Sequence, residues 1–136
     1  MMEISAGLAI IQQNRILLAH PTNAPWYGTY IIPKGKIEIH ETPLEAAIRE
    51  THEEVGIHIS EDDIKNKKKP YMIEYKNQLG NVYKILYYFV AEPKTDIIID
   101  KNKLQKREVN WAGFLDKDEA RSRIFWRFEE MLEFIS

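Results

Sequence analysis

The chain has 136 residues, 44% of them apolar, with 19 Lys plus Arg against 21 Asp plus Glu and a net charge of -2. That length suits one domain over residues 1–136, because two cores of ~70 residues each would both be marginal, and the apolar content excludes a disordered chain. The near-neutral balance gives no ground for broad binding to nucleic acid or anionic lipid, and the absence of cysteine excludes disulfides, thiolate zinc sites and a Cys nucleophile.

The opening reads as a hairpin, with Ile4 to Ile11 as one strand, Gln12-Gln13-Asn14 as the turn and Arg15 to Ala19 as the return. Glu3, the lack of a basic stretch and the polar break at Gln12 argue against a signal peptide. After the loop chemistry of Pro21 to Pro25, Trp26 to Ile32 predicts another short strand, which Pro33-Lys34-Gly35-Lys36 then breaks. Thr42 is a suitable N-cap, Pro43 suits the first helical position, and Glu45 completes a Thr-x-x-Glu capping box. Leu44, Ala47, Ile48, Thr51 and Val55 recur at helical spacing, and Gly56 stands where a left-handed cap ends a helix.

Beyond this helix, Ile57 to Ser60 predicts a short strand and Glu61 to Lys69 a polar connection with a lysine cluster at Lys65 and Lys67 to Lys69. Without interleaved aromatics that cluster reads as a solvated loop. Tyr71 to Lys76 and Val82 to Ala91 predict a hairpin around Asn77 to Asn81, and Val109 to Leu115 a last strand. Asp116 or Asp118 then caps a C-terminal helix with the apolar stripe Ala120, Ile124, Phe128, Met131 and Ile135. Strands mix with two amphipathic helices without regular alternation, so the expected fold class is α+β, a sandwich with a mixed sheet. The longest apolar run, Ile85 to Ala91, is far short of the ~20 residues that span a bilayer. A soluble, cytoplasmic protein without a membrane partner is expected. His20, His40, His52 and His58 show no zinc-ligand spacing and read as surface or packing residues.

On the Thr42–Val55 helix, Glu50, Glu53 and Glu54 sit at i, i+3 and i+4, within one sector of ~100° away from the apolar stripe. A Glu-rich helix face by itself is ordinarily just solvated. Yet three like charges this close repel one another, and a hard divalent cation held with substrate phosphates would offset them. Arg49, beside Glu50 and four residues before Glu53, can orient a carboxylate.

The wider pattern runs Gly35, five residues, Glu41, seven residues, then Arg49-Glu50-Thr51-His52-Glu53-Glu54-Val55-Gly56-Ile57, and it resembles the Nudix box, the signature of the Nudix hydrolases. All seven polar or glycine positions match: Gly35, Glu41, Arg49, Glu50, Glu53, Glu54 and Gly56. Chance agreement somewhere in the chain is on the order of 10^-7 at ~6% usage per residue type. Thr51 departs from the larger aliphatic residue the family prefers, which bears on packing more than on chemistry.

The resemblance implies a Nudix-type α/β/α sandwich and a metal-dependent pyrophosphohydrolase. Such an enzyme attacks a nucleoside diphosphate linked to another group, using water and Mg2+ or Mn2+. By the same resemblance Glu50 and Glu54 are the principal metal ligands, Glu53 is a further ligand or general base, and the carbonyl of Lys34 is another ligand. Arg49 fixes a catalytic glutamate and Glu41 supports the loop. Many relatives take the base from a loop ahead of the last strand. Here that loop offers Glu92, Asp96, Asp100 and Glu108, and Glu108 resembles the family pattern because Val109 and Trp111 follow it.

Pro33-Lys34-Gly35-Lys36 resembles the entry to the box in dinucleoside polyphosphate and diphosphoinositol polyphosphate hydrolases, whereas nucleoside triphosphate-cleaving relatives more often carry Pro-Gly-Gly. Lys34 and Lys36 would add charge beside a polyphosphate. Tyr75 stands where diadenosine tetraphosphate hydrolases tend to have a base-stacking tyrosine. The resemblance thus implies a small nucleotide substrate, best matched by a dinucleoside polyphosphate. The alternatives are nucleoside triphosphate, ADP-ribose, RNA 5′-end or inositol pyrophosphate cleavage, and a non-catalytic nucleotide-sensing module. Nucleic acid is expected only as an RNA 5′ end, and the chain as a monomer or homodimer.

Overall fold

A computed structural model describes residues 2–136. Its strands are β1 (Glu3–Gln12), β2 (Arg15–Pro21), β3 (Lys34–Lys36), β4 (Tyr71–Lys76), β5 (Val82–Ala91) and β6 (Val109–Leu115). Its helices are α1 (Pro43–Val55), α2 (Lys117–Arg123) and a 3-10 run over Trp126–Phe134, with single 3-10 turns at Glu61–Asp63 and Lys101–Lys103. The sheet runs β4-β5-β1-β2-β6, with β3 on β1. Only β1 and β5 pair in parallel, so the sheet is mixed, as expected.

Alternation along each strand builds two cores. Ala6, Leu8 and Ile10 of β1, Leu17 and Ala19 of β2 and Phe89 of β5 face α1, meeting Ala46, Ala47 and Val55. Ala9, Ile11, Ile16, Leu18, Leu86, Tyr88 and Val90 face the other way, onto Ala120, Ile124, Phe128, Met131 and Leu132. A two-residue period that is apolar on both parities needs cover on both faces, and the helical layers supply it. The result is the α/β/α sandwich. Among the described residues no helix is long and apolar enough to cross a membrane.

The β1–β2 hairpin is short. Gln13 and Asn14 take positive φ (50° and 61°), the two-residue turn that matches strand twist. The strands stay paired only through Ile11–Ile16 and Gln12–Arg15, then part. β2 continues on β6 and leaves the edge of β1 open, and β3 takes that edge. This overturns the expectation that Pro33 to Lys36 only breaks the chain. Gly7, opposite Lys34, permits the pairing, because a Cβ there would lie 2.6 Å from the Pro33 carbonyl oxygen and 2.7 Å from the Lys34 Cβ.

Three other expectations are corrected. Trp26 to Ile32 is not a strand: only Tyr30 and Ile31 form isolated bridges, and Gly28 turns the chain at φ 72°. Its aromatic residues anchor the loop through side chains instead, Trp26 stacking on His20 at 3.6 Å. Ile57 to Ser60 makes no ladder, although Ile57 and Ile59 are buried as an alternating segment would have them. The C-terminal helix, capped by Asp116, ends at Arg123, because its last carbonyl accepts from the N–H groups of Thr29 and Tyr30 at 2.9 and 2.8 Å. Phe125 N–H then donates to the Tyr30 carbonyl, so the groups that would extend the helix are taken. The stripe Ala120, Ile124, Phe128, Met131 and Ile135 is buried nonetheless.

Candidate active site

Local chemistry fixes α1. Thr42 Oγ1 accepts from Glu45 N–H at 3.1 Å while Glu45 Oε1 accepts from Thr42 N–H at 2.9 Å, a reciprocal capping box. Gly56 closes the helix at φ 73°, its N–H donating to the His52 carbonyl. Thr51 is buried and satisfies its hydroxyl on the Ala47 carbonyl at 2.8 Å, so the hydroxyl is accommodated inside the apolar layer. Glu50, Glu53 and Glu54 are thereby turned toward the gap that β1 and β2 leave as they part.

They line a cleft of about 430 Å³, bounded on one side by Lys34, Gly35 and Lys36 and on the other by Gln105 and Glu108. Backbone bonds hold both walls to α1. Lys34 N–H donates to Glu54 Oε1 at 3.2 Å, and Gln105 N–H to the Glu54 carbonyl at 2.8 Å. Gly35 leaves room for the Glu50 carboxylate, which a Cβ there would push aside.

Arg49 organises the acidic face. Its Nε and Nη2 grip Glu41 in a fork at 2.6 and 2.9 Å, and Nη1 reaches Glu50 at 2.9 Å and Glu53 at 3.1 Å. Nη2 also donates to the Lys36 carbonyl at 3.1 Å, tying α1 to the β3 segment. Glu41 accepts from Glu38 N–H as well, so it pins the loop leading into the helix. Arg49 holds the Glu41 carboxyl below its ordinary range, and its carboxylate partners raise the guanidinium further above its own.

Glu50 and Glu54 behave differently. Burial raises Glu50 despite Arg49. Burial also pushes Glu54 up to about 8, against the backbone N–H of Lys34, with the charges of Glu50 and Glu108 adding to the rise. Glu54 is 6% exposed, a carboxylate with one hydrogen bond and no cation on it. Such a group is costly unless a counter-charge meets it. Arg49 draws Glu50 and Glu53 to itself while Glu54 turns to Lys34, so no three carboxylates or histidines among the described residues stand together at ion-holding spacing.

The residues singled out from the sequence fall in three groups. Glu41, Arg49, Glu50, Glu53, Glu54, Lys34 and Lys36 come together around one hydrogen-bonded cleft. Of the four loop carboxylates only Glu108 lines it. Glu92 pairs with Lys65 at 3.4 Å, Asp96 accepts from Gln13, and Asp100 caps a 3-10 turn. Tyr75 is apart, buried in the C-terminal core with Arg127 4.6 Å and Lys84 5.1 Å from its ring centroid. It lines a neighbouring recess of about 360 Å³ with Ile31, Phe125 and Phe128.

Two charged residues missed in the sequence join the cleft, Lys84 of β5 and Glu3 of β1, paired at 3.0 Å. Lys84 shares the parity of Leu86, Tyr88 and Val90, a lysine on the inward face of a buried strand, and that was the available signal.

An acidic helix face held by one arginine thus stands across a cleft from Lys34, Lys36 and Lys84. The chain belongs to the NUDIX domain family, whose model matches residues 1–133. It is 34% identical over 61 residues to an 8-oxo-dGTP diphosphatase of Proteus vulgaris, covering 44% of this chain and 54% of that protein. The chain spans about half the length of the curated relatives it matches, 52 to 60%. In fold it resembles a MutT NUDIX hydrolase from Burkholderia pseudomallei (TM-score 0.73, 19% identity, covering 100% of this chain and 99% of that one). It also resembles an Ap4A hydrolase from C. elegans (TM-score 0.69, 21% identity, 97% and 93% covered). Nudix hydrolases generally use divalent metal ions.

Proposed function

We propose that the chain is a divalent-cation-dependent pyrophosphohydrolase that cleaves a diphosphate linkage in a small nucleotide, with a dinucleoside polyphosphate as the favoured substrate. One observation carries the reading: Glu50, Glu53 and Glu54 share a single cleft with Lys34, Lys36 and Lys84. Carboxylates alone suit a cation and lysines alone an anion. Together they suit a cation–polyphosphate composite.

The donor set fits Mg2+ or Mn2+. Glu54 is a buried carboxylate wanting a counter-charge, Glu50 lies against the Gly35 cradle that a Cβ would fill, and all the donors are hard oxygens. Glu50 and Glu54 would hold the ion, with Glu53 and the Lys34 carbonyl as further ligands. Bound there, it would neutralise phosphate oxygens and lower the pKa of a water. The chain's own residues do the rest. Arg49, gripped by Glu41, fixes the orientation of Glu50 and Glu53. Lys34 and Lys36 bind the phosphate chain and set its direction along the cleft. Glu108 accepts on its carboxylate the proton of the water that attacks phosphorus, as the bridging oxygen leaves with the other phosphate. The adjoining recess, with Tyr75 in its wall, takes a base.

A second reading, nucleoside triphosphate cleavage, is favoured by the likeness to the 8-oxo-dGTP diphosphatase. A hydrolysis screen with Mg2+ and Mn2+ separates the two, with products resolved by chromatography. It covers diadenosine polyphosphates, nucleoside triphosphates, ADP-ribose, triphosphorylated RNA and inositol pyrophosphates. ATP plus AMP from diadenosine tetraphosphate, with little turnover elsewhere, is the expected result. Preference for another substrate would retain the metal assignment and discard the chain-length reading. Tight nucleotide binding without any turnover would make the chain a sensor.

A further inference from the structure

Glu3 and Lys84 are direct neighbours in the parallel β1–β5 register, on the sheet face that carries Ala9 and Leu86 further along. The Glu3 carboxylate is shared. Its Oε2 lies 3.0 Å from Lys84 Nζ and 3.5 Å from Ser5 Oγ, and its Oε1 lies 3.7 Å from Lys36 Nζ. Lys34 lines the same cleft as Glu3, Lys36 and Lys84. Three lysines thus gather around one carboxylate, with an excess of positive charge.

Place gives the cluster meaning. Lys34 and Lys84 line both the acidic cleft and the apolar recess beside it. Both lysines therefore stand on the wall that the cleft and the recess share. Lys84 is only 19% exposed and Lys36 77%, so Lys84 is the drier of the two cations on Glu3 and the stronger seat for an anion. A linkage with two phosphates is satisfied by the α1 site and Lys34. A longer chain reaches Lys84 only by taking the place of Glu3.

We infer that Glu3 is a specificity-determining residue: its carboxylate occupies the Lys84 anion seat that the distal phosphates of a long polyphosphate must take, and so attenuates binding according to chain length. The inference rests on the pyrophosphohydrolase reading for its kinetics but not for its binding. Glu3 acts through Lys84 and touches no reacting atom. Removing it therefore alters KM and leaves kcat unchanged.

The test compares wild type with Glu3→Gln, Lys84→Gln, Lys84→Arg and the Glu3→Gln/Lys84→Gln double variant. Metal-free calorimetry with inorganic tripolyphosphate comes first. Glu3→Gln should tighten binding about 5-fold and Lys84→Gln weaken it about 10-fold, between the effects of exposed and of close buried charge pairs. Lys84→Arg should restore most of the affinity, and the double variant should match Lys84→Gln. With diadenosine tetraphosphate and ADP-ribose as substrates, Glu3→Gln should lower KM for the first by a similar factor, leave the second within about 2-fold, and keep kcat for both. Unchanged tripolyphosphate affinity in Glu3→Gln would overturn the inference, as would equal KM changes on the two substrates. If no nucleotide is turned over, the pyrophosphohydrolase reading fails by itself, and the tripolyphosphate binding still decides the role of Glu3.

Discussion

Replacing Glu54 with Gln should stabilise the metal-free protein at alkaline pH while removing its activity. The Glu54 carboxyl, ordinarily near 4.5, is raised by burial to about 8. At about 1.4 kcal/mol per tenfold change in proton affinity, the cost of holding it ionised in the folded state has an upper limit of ~5 kcal/mol. Local relaxation and water entry reduce that to roughly 2–4 kcal/mol. The sign follows from the two states. The unfolded chain releases this proton near 4.5 and the folded protein keeps it until about 8, so stability falls as pH rises through that window. Glutamine keeps the shape and an oxygen for Lys34 N–H but never ionises. Thermal melts in chelator should therefore show little difference at pH 5. At pH 8.5 Glu54→Gln should melt about 6–12 °C higher, at roughly 3 °C per kcal/mol for a chain of this size. Saturating Mg2+ should raise the wild-type midpoint and close the gap, because the cation supplies the missing charge. A variant no more stable than wild type at pH 8.5, or one equally stabilised at pH 5, would refute the reasoning. Near-wild-type turnover with saturating Mg2+ would remove Glu54 from the metal site.

Arg49→Lys should cost about 1–3 kcal/mol in urea denaturation and lower kcat at least about tenfold, since an ammonium cannot grip Glu41 in a fork and also reach Glu50 and Glu53. A variant with unchanged kcat would strip Arg49 of its orienting role. Gly35→Ala should displace the Glu50 carboxylate and abolish metal-dependent activity while α1 stays helical by circular dichroism; retained Mn2+ binding in a titration would contradict the cradle. Glu108→Gln should lower kcat by about 10²-fold with KM little changed, the usual range for losing a general base. Asp96→Asn and Asp100→Asn, whose side chains are engaged away from the cleft, should match wild type. Equal losses in all three would return the base assignment to the whole loop. Gly56→Ala should destabilise by about 1–2 kcal/mol, because it forces a Cβ into the left-handed region and against the Lys103 side chain. A neutral result by chemical denaturation would mean the helix end adjusts.

What was legible in the sequence was local. The capping box, the Gly56 cap and the three glutamates of α1 depend on residues within a few positions of one another, so one window contains the whole argument. The strand alternation of β4 and β5 is readable for the same reason. What was not legible was set by distant partners. Lys34 to Lys36 becomes a strand only because Gly7 lets it approach and β2 has left the edge free. The C-terminal apolar stripe reads as one helix, yet Thr29 and Tyr30 capture the Arg123 carbonyl from nearly a hundred positions away. Those same captures hold Gly28 and Thr29 at the rim of the apolar recess. The break in the helix therefore belongs to the site as much as to the fold.

The parting of β1 and β2 is the feature that joins these observations. Had the hairpin stayed paired along its length, β2 would cover the edge of β1 where β3 lies, and Lys34 and Gly35 would have no place beside α1. Because it parts after two pairs, the peptide before Gly35 lies against Glu54, and Arg49 can reach the Lys36 carbonyl. On the other edge of β1, Glu3 at its start faces Lys84 across the parallel pair with β5. Acidic and basic groups from separate segments of the chain thus meet around one cleft. The acidic side alone would repel a phosphate chain and the basic side alone would repel a cation. Under the proposed reading each makes the other's ligand acceptable, so cation affinity should rise when tripolyphosphate is present. A cation affinity indifferent to tripolyphosphate would mean that the two sides of the cleft act separately.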